Sequence, residues 1–131
     1  MSKPKILELE EKIADTGWID LKWTSDFENY NNYSDVNPQY RRIGKEVYLR
    51  GVATPAEDIP GSATEITMFN LPEGVRPSKD VPKICQGTGK NTWLLMVNTD
   101  GKVTFSRYGI SGSVTAKNGN WLIFEINFTI D

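Results

Sequence analysis

From residue 18 onward, apolar and polar residues alternate with a period of two in short runs, and Gly, Pro and Asn separate the runs. This is the pattern of half-buried strands joined by tight turns. In Lys45 to Arg50, Val47 and Leu49 fall on one face and Glu46, Tyr48 and Arg50 on the other. Gly44 can adopt the positive φ of a turn, so Tyr40-Arg41-Arg42 is expected to fold back as the antiparallel partner. The last run, Trp121 to Ile130, sends Leu122, Phe124, Ile126, Phe128 and Ile130 to one face and should be a main support of the core.

Further strands are expected at Trp18 to Trp23, Ile66 to Leu71, Val81 to Gln86, Val103 to Tyr108 and near Ser113 to Ala116. Trp93 to Asn98 is apolar on both faces, as a strand covered on both sides would be. Pro55 and Pro60-Gly61 mark a loop from Thr54 to Ala63. The run Leu71-Pro72-Glu73-Gly74-Val75-Arg76-Pro77 forms a fixed corner, because its prolines have no donor for a ladder.

The period differs at the N-terminus. Pro4 to Asp15 reads as a helix, with Ile6, Leu9 and Ile13 along one seam and Gly17 as the stop. A helix this short is marginal alone, so the seam either packs on the chain's own sheet or meets copies of itself as a short coiled coil. Residues 1–16 are thus a helical segment and 17–131 an all-β domain. Without helical crossovers, the domain is expected to be an antiparallel β-sandwich or jelly-roll-like barrel.

Composition narrows the chemistry. The chain has 131 residues and a formal charge of -2, with no basic stripe, which argues against nucleic acid as a partner. No run has membrane-spanning length, and Met1 to Lys5 lacks the apolar core of a secretion signal. Histidine is absent and Cys85 is the sole cysteine, which removes an intramolecular disulfide, paired-thiolate metal sites and histidine-based nucleophilic machinery. Gly87-Thr88-Gly89-Lys90 lacks the spacing of a phosphate loop. Carboxylate pairs remain, with Asp20, Asp26, Glu28, Asp35, Asp100 and Glu125 as candidates, yet nothing in the sequence brings two of them together. No catalytic residue, metal or cofactor is expected.

Binding is better supported. Thr24 to Pro38 is polar but holds Phe27, Tyr30 and Tyr33 among Asn29, Asn31, Asn32, Ser34, Asp35 and Asn37. Rigid amphipathic rings among amides are the composition of a recognition loop; the competing reading has these rings cover a sheet edge. Trp18, Trp23, Trp93 and Trp121 could lay flat faces on sugar C–H groups, although Trp23 is expected in the core beside Ile19 and Leu21.

In order along the chain, Thr16-Gly17-Trp18, Tyr40 to Gly51, Leu71 to Pro77 and Asn120 to Asp131 resemble the C-terminal head domains of tail-fibre and baseplate receptor-binding proteins of siphophages that infect Gram-positive bacteria. The resemblance implies a homotrimer of β-sandwich heads on a helical stem at the phage tail tip. Such a head binds host cell-wall saccharide, contacts other tail and baseplate proteins, and performs no reaction. In lactococcal members the sugar site resembles a His, Asp, Trp and Arg cluster near the hairpin corresponding here to Trp93 to Tyr108. This chain departs from that pattern: histidine is missing, Asn98 falls where an Asp is expected, and Arg107 stands near an aromatic position. The ligand-binding residues implied are Trp93, Asn98, Arg107 and Tyr108, with Tyr30 and Tyr33 as a second patch. Two other readings are a structural tail assembly module and an accessory carbohydrate-binding module of a tail hydrolase.

Overall fold

The longest strand organises the molecule. In the computed structural model, which describes residues 14–61, 63–109 and 114–130, β4 (Glu46–Pro55) runs between two antiparallel neighbours. Along one edge lie β3 (Gln39–Ile43) and then β2 (Phe27–Asn29), with β1 (Ile19–Asp20) outside β3; along the other lies β9 (Leu122–Thr129). The second sheet has the order β5 (Ile66–Asn70), β8 (Lys102–Ser106), β7 (Thr92–Val97), β6 (Val81–Gln86), again antiparallel throughout. The fold is therefore an all-β antiparallel sandwich, as the turn-punctuated alternation predicts.

The two sheets nearly close into a barrel. At one corner Gly87 bridges Leu122, and the Lys83 ammonium donates to the Glu125 backbone carbonyl, capping the edge of β9 away from β4. At the opposite corner the backbone N–H of Thr24 donates to the Met68 carbonyl at 2.8 Å, and its hydroxyl donates to the Thr67 carbonyl at 2.7 Å. Both lateral openings are laced, which shields edges that would otherwise offer unpaired backbone groups.

The inner rows follow the period of two. Along β9 burial alternates without exception: Leu122, Phe124, Ile126 and Phe128 face in, while Ile123, Glu125, Asn127 and Thr129 face out. Opposite them on β4, Val47 and Leu49 are fully buried, and Gly51 and Ala53 are small. A Cβ on Gly51 would lie 2.9 Å from the Phe124 ring and 3.2 Å from the Pro38 Cα, so glycine makes room for an aromatic ring and for the neighbouring chain. Phe124 stacks on Phe69 of the other sheet, ring centroids 5.6 Å apart.

Other elements differ from the sequence expectation. Of the first expected strand only Ile19 and Asp20 pair, because the chain then leaves β3 and crosses toward β5, where Leu21 and Trp23 pack on the core. β4 extends to Pro55 into the expected loop, since Phe27 to Asn29 supplies a partner for its second half. Near the expected strand at Ser113 to Ala116, Ala116 makes a single bridge to Ile59, and residues 110–113 lie outside the described residues. The expected helix also lies outside them except for Ala14 and Asp15. These two are extended: Asp15 bridges Ile43, and the Ala14 carbonyl accepts from the Gly44 N–H at 2.9 Å. The Gly44 turn itself has φ 59°, as the hairpin requires.

Substituting Gly51→Ala forces a methyl group against Phe124 and the Pro38 backbone. The expected loss is about 1–3 kcal/mol, the usual range for overpacking, read as a lower urea midpoint at unchanged slope; an unaltered midpoint contradicts the packing account.

Candidate functional site

Between β2 and β3 the chain makes two single 3-10 turns, Tyr30–Asn32 and Ser34–Val36, joined through Tyr33. Asn31 and Asn32 both take positive φ, 49° and 57°, a conformation that asparagine tolerates better than most residues. The loop is held by one amide. The Asn29 Nδ2 donates to the Tyr33 carbonyl at 2.9 Å and to the Asn37 Oδ1 at 2.6 Å, while its Oδ1 accepts from the Trp23 indole N–H at 2.6 Å. Asn29 is itself fixed, because it pairs opposite Ala53 on β4. A segment of aromatic and amide side chains is thereby fixed before any ligand arrives, which lowers the ordering cost of binding.

On this loop the Tyr30 and Tyr33 rings meet edge to face with centroids 6.1 Å apart, and Tyr33 is 53% exposed. Two shallow depressions flank the loop. One, about 420 Å³, is lined by Leu21, Trp23, Asn29, Asn32 and Asn37 among others. The second, about 320 Å³, lies between the loop and the outer face of the first sheet, with Asp35, Asn37, Arg50, Val52, Ile123 and Glu125 in its wall. Apolar residues mixed with amide, guanidinium and carboxylate groups suit a polyhydroxylated ligand, whose ring presents C–H faces and whose hydroxyls both donate and accept.

Arg50 links this wall to the rest of the outer face. Its guanidinium carbon lies 3.7 Å from the Trp18 ring centroid, and its Nε donates to the Gln39 Oε1 at 2.9 Å. Gln39 in turn donates to Asp20 at 2.7 Å. Arg41, with its guanidinium carbon 5.9 Å from the Trp18 centroid, is held in a two-point pair with Asp15 at 2.9 and 2.5 Å. The Arg41 guanidinium, followed by the Gly17 N–H, holds the Asp15 carboxyl down at about 2.

The β7–β8 hairpin does not assemble the site expected there. Trp93 is 1% exposed, packed against Phe105 and Phe124, with its indole N–H donating to the Gln86 carbonyl at 3.0 Å. Tyr108 is 2% exposed and packs on Phe105. Both rings are interior and present no face to a ligand, because Trp93 alternates in phase with Leu95 and Val97 on the core side of β7. Asn98 closes the hairpin, its Nδ2 donating to the Lys102 carbonyl at 2.9 Å. Arg107 is exposed beyond the far end of β8, at φ 55°. With Leu94 opposite Ser106 and Val97 opposite Val103, Asn98 and Arg107 stand at opposite ends of the hairpin, roughly 17 Å apart at about 3.4 Å per residue.

The carboxylate candidates also separate. Asp20, Glu28 and Asp100 accept hydrogen bonds from Gln39, Asn118 and the Lys102 N–H. Asp26 lines a depression of about 530 Å³ with Glu57 and Asp58. Asp35 and Glu125 share the Arg50 depression, a convergence the sequence does not reveal, and both are exposed. Burial pushes the Cys85 thiol up to about 11, so it stays protonated at neutral pH. Among the described residues no group of three or more His, Cys, Asp or Glu could hold a metal ion.

Asn29, Asn37, Arg50 and Trp18 were not among the expected ligand-binding residues, although the amides were read as part of the loop and Trp18 as one of four candidate indoles. For Arg50 the signal was present, since strand alternation puts it on the outer face.

No protein-family model matches the sequence, and no curated protein is similar to it in sequence. Solved structures are similar. The head domain of the lactococcal phage bIL170, described as a receptor-binding domain, superposes with a TM-score of 0.59 at 18% identity, over 87% of this chain and 97% of that one. The receptor-binding protein of Listeria phage PSA superposes with a TM-score of 0.58 at 12% identity, over 95% of this chain and 71% of that one. The fold is shared with these heads over most of the chain.

Two outcomes test the local account. Asn29→Ala leaves the Trp23 indole N–H without its acceptor and releases the loop. A stability loss of about 1–3 kcal/mol should accompany faster amide exchange confined to residues 30–37; exchange that stays slow there refutes the clamp. The carboxyl of Asp15 should titrate near 2 and move back toward its ordinary 3.8 in Arg41→Ala. Because the folded value is depressed, the stabilisation is present above the unfolded value and is lost as pH falls through about 2. Carboxyl NMR titration of both proteins checks the shift and its cause.

Proposed function

We propose that the chain is the receptor-binding head of a phage tail protein, which attaches the virion to a host cell-surface saccharide and performs no reaction. The observation that carries this reading is the fold shared with two phage receptor-binding proteins over 87% and 95% of the chain. The binding surface in this reading is the clamped loop with Tyr30 and Tyr33 and the depressions beside it, with Asn98 and Arg107 outside it. Trp93 and Tyr108 contribute through the core.

The working form is proposed to be a homotrimer, which multiplies individually weak sugar contacts through geometry. The outer face of the second sheet supports this. Ile84 lies opposite Leu94 and Pro82 opposite Met96, a stripe of uncharged side chains in which Ile84 is 64% exposed. Such a stripe suits contact with another subunit or with a neighbouring tail protein.

Labelled protein applied to a panel of Gram-positive cells should decorate particular strains and be displaced by the purified wall polysaccharide of those strains. Tyr30→Ala combined with Tyr33→Ala should weaken decoration about tenfold or more, ~1.4 kcal/mol of binding, with thermal stability nearly unchanged. Binding that survives both substitutions moves the site elsewhere, and failure to bind any strain or polysaccharide as a folded protein overturns the reading. Sedimentation velocity should give three times the protomer mass; a monomer at working concentration overturns the trimer.

A further inference from the structure

The two depressions beside the loop have one wall in common, because Asn37 lines both. We infer that the ligand is an oligosaccharide stretch gripped along its length, at least two sugar units laid across Asn37, rather than a single terminal sugar. This rests on the saccharide-binding reading above and adds to it how the chain is read.

Three observations carry the inference. The volumes, about 420 and 320 Å³, each lie at the small end of the range for ligand pockets, about 300–1,000 Å³, so each suits one or two rings and neither a longer segment. Their chemistry differs. The first pairs the Trp23 ring with the amides of Asn32 and Asn37, which offer donors and acceptors together. The second is lined by Arg50 and Glu125, cross-strand partners on β4 and β9, together with Asp35 and Ile123, so charged side chains there stand beside an apolar one. Two unlike subsites select the order of two unlike units, which one repeated monosaccharide contact cannot do.

The ridge between them is also fixed. Asn37 is held by the Asn29 amide at 2.6 Å, and the next residue, Pro38, is buried and accepts from the Leu21 N–H at 2.7 Å. A rigid ridge keeps the spacing of the two depressions constant. Units bridging it then bind as linked ligands, whose combined affinity exceeds that of either part.

The test uses the wall polysaccharide of a strain that the full chain decorates, cut by partial acid hydrolysis and sized into mono-, di-, tri- and tetrasaccharides. Titration calorimetry should give affinity that rises roughly a hundredfold from the monosaccharide to the longer fragments, as linked subsites do. Asn32→Gly, which keeps the positive φ of 57° accessible, removes an amide from the first depression. Glu125→Gln removes the charge from the second. Each should weaken the tetrasaccharide about tenfold while leaving the melting temperature unchanged, since both side chains are exposed.

Equal affinity for mono- and tetrasaccharide overturns the inference and leaves the saccharide reading standing. So does a tetrasaccharide insensitive to either substitution. Absence of binding by the intact polysaccharide overturns both.

Discussion

A continuous series of aromatic contacts ties the two sheets together, and the rest of the molecule is arranged around it. Trp23 meets Phe69 and Phe124 edge-on, with centroids 5.7 and 6.1 Å apart; Phe124 reaches Trp93, Trp93 reaches Phe105, and Phe105 meets Phe27 and Tyr108. These rings come from the loop before β2, from β2 itself, and from strands of both sheets, so the core locks elements far apart in sequence. Their size dictates a small neighbour: Gly51 on β4 is glycine because the Phe124 ring occupies the space a side chain would fill. Offset and edge-on pairs each add roughly 0.5–1.5 kcal/mol beyond area burial, which gives this cluster a definite geometry as well as hydrophobic weight.

The same cluster positions the loop proposed for recognition. Trp23 stands at one end of the series, its ring packed on the core and its N–H directed to Asn29. Asn29 then gathers Tyr33 and Asn37. The path from the interior to the exposed tyrosine thus runs through a single indole and a single amide. Shallow sugar sites gain little from burial, so a fixed arrangement of donors and rings matters more to them than contact area. In the proposed reading, stability and recognition are coupled through the Trp23–Asn29 hydrogen bond, whose loss would act on both.

This coupling also explains which parts of the molecule could be read from the chain. The alternation of β9 and of Val47 and Leu49, the Gly44 turn and the prolines of the corner are local patterns, and the structure repeats them. Trp93 and Tyr108 were harder to place, because an indole or phenol has the same chemistry whether it lines a core or a sugar site. The strand Thr92–Val97 is apolar on both faces, and alternation alone does not say which face points inward. Asn98 and Arg107 look close in sequence, yet antiparallel register puts them at opposite ends of one hairpin. Asn29 was legible as one amide among several; its role comes from partners at positions 23, 33 and 37, a convergence set by the fold.

The outer faces of the two sheets differ in kind. The first carries Trp18, Arg41, Arg50, Gln39, Asp15 and Asp20 in a connected polar network, and it borders the depression with Glu125. The second carries exposed Pro82 and Ile84 opposite half-buried Met96 and buried Leu94, with no charge among them. Charges already satisfied within one chain make poor glue between subunits, since each must be stripped of water to little gain, whereas an uncharged stripe is released from water at a profit in solvent entropy. In the proposed assembly the second sheet therefore turns toward neighbouring subunits and the first toward the host. The chain enters between these roles: Ala14 to Thr16 add to the edge of β3, with the Thr16 N–H donating to the Arg42 carbonyl at 3.0 Å. Arg42 itself reaches the Gly74 carbonyl in the proline corner at 3.0 Å. A segment arriving at Ala14 is consequently tied to the edge of β3 and, through Arg42, to the corner that follows β5.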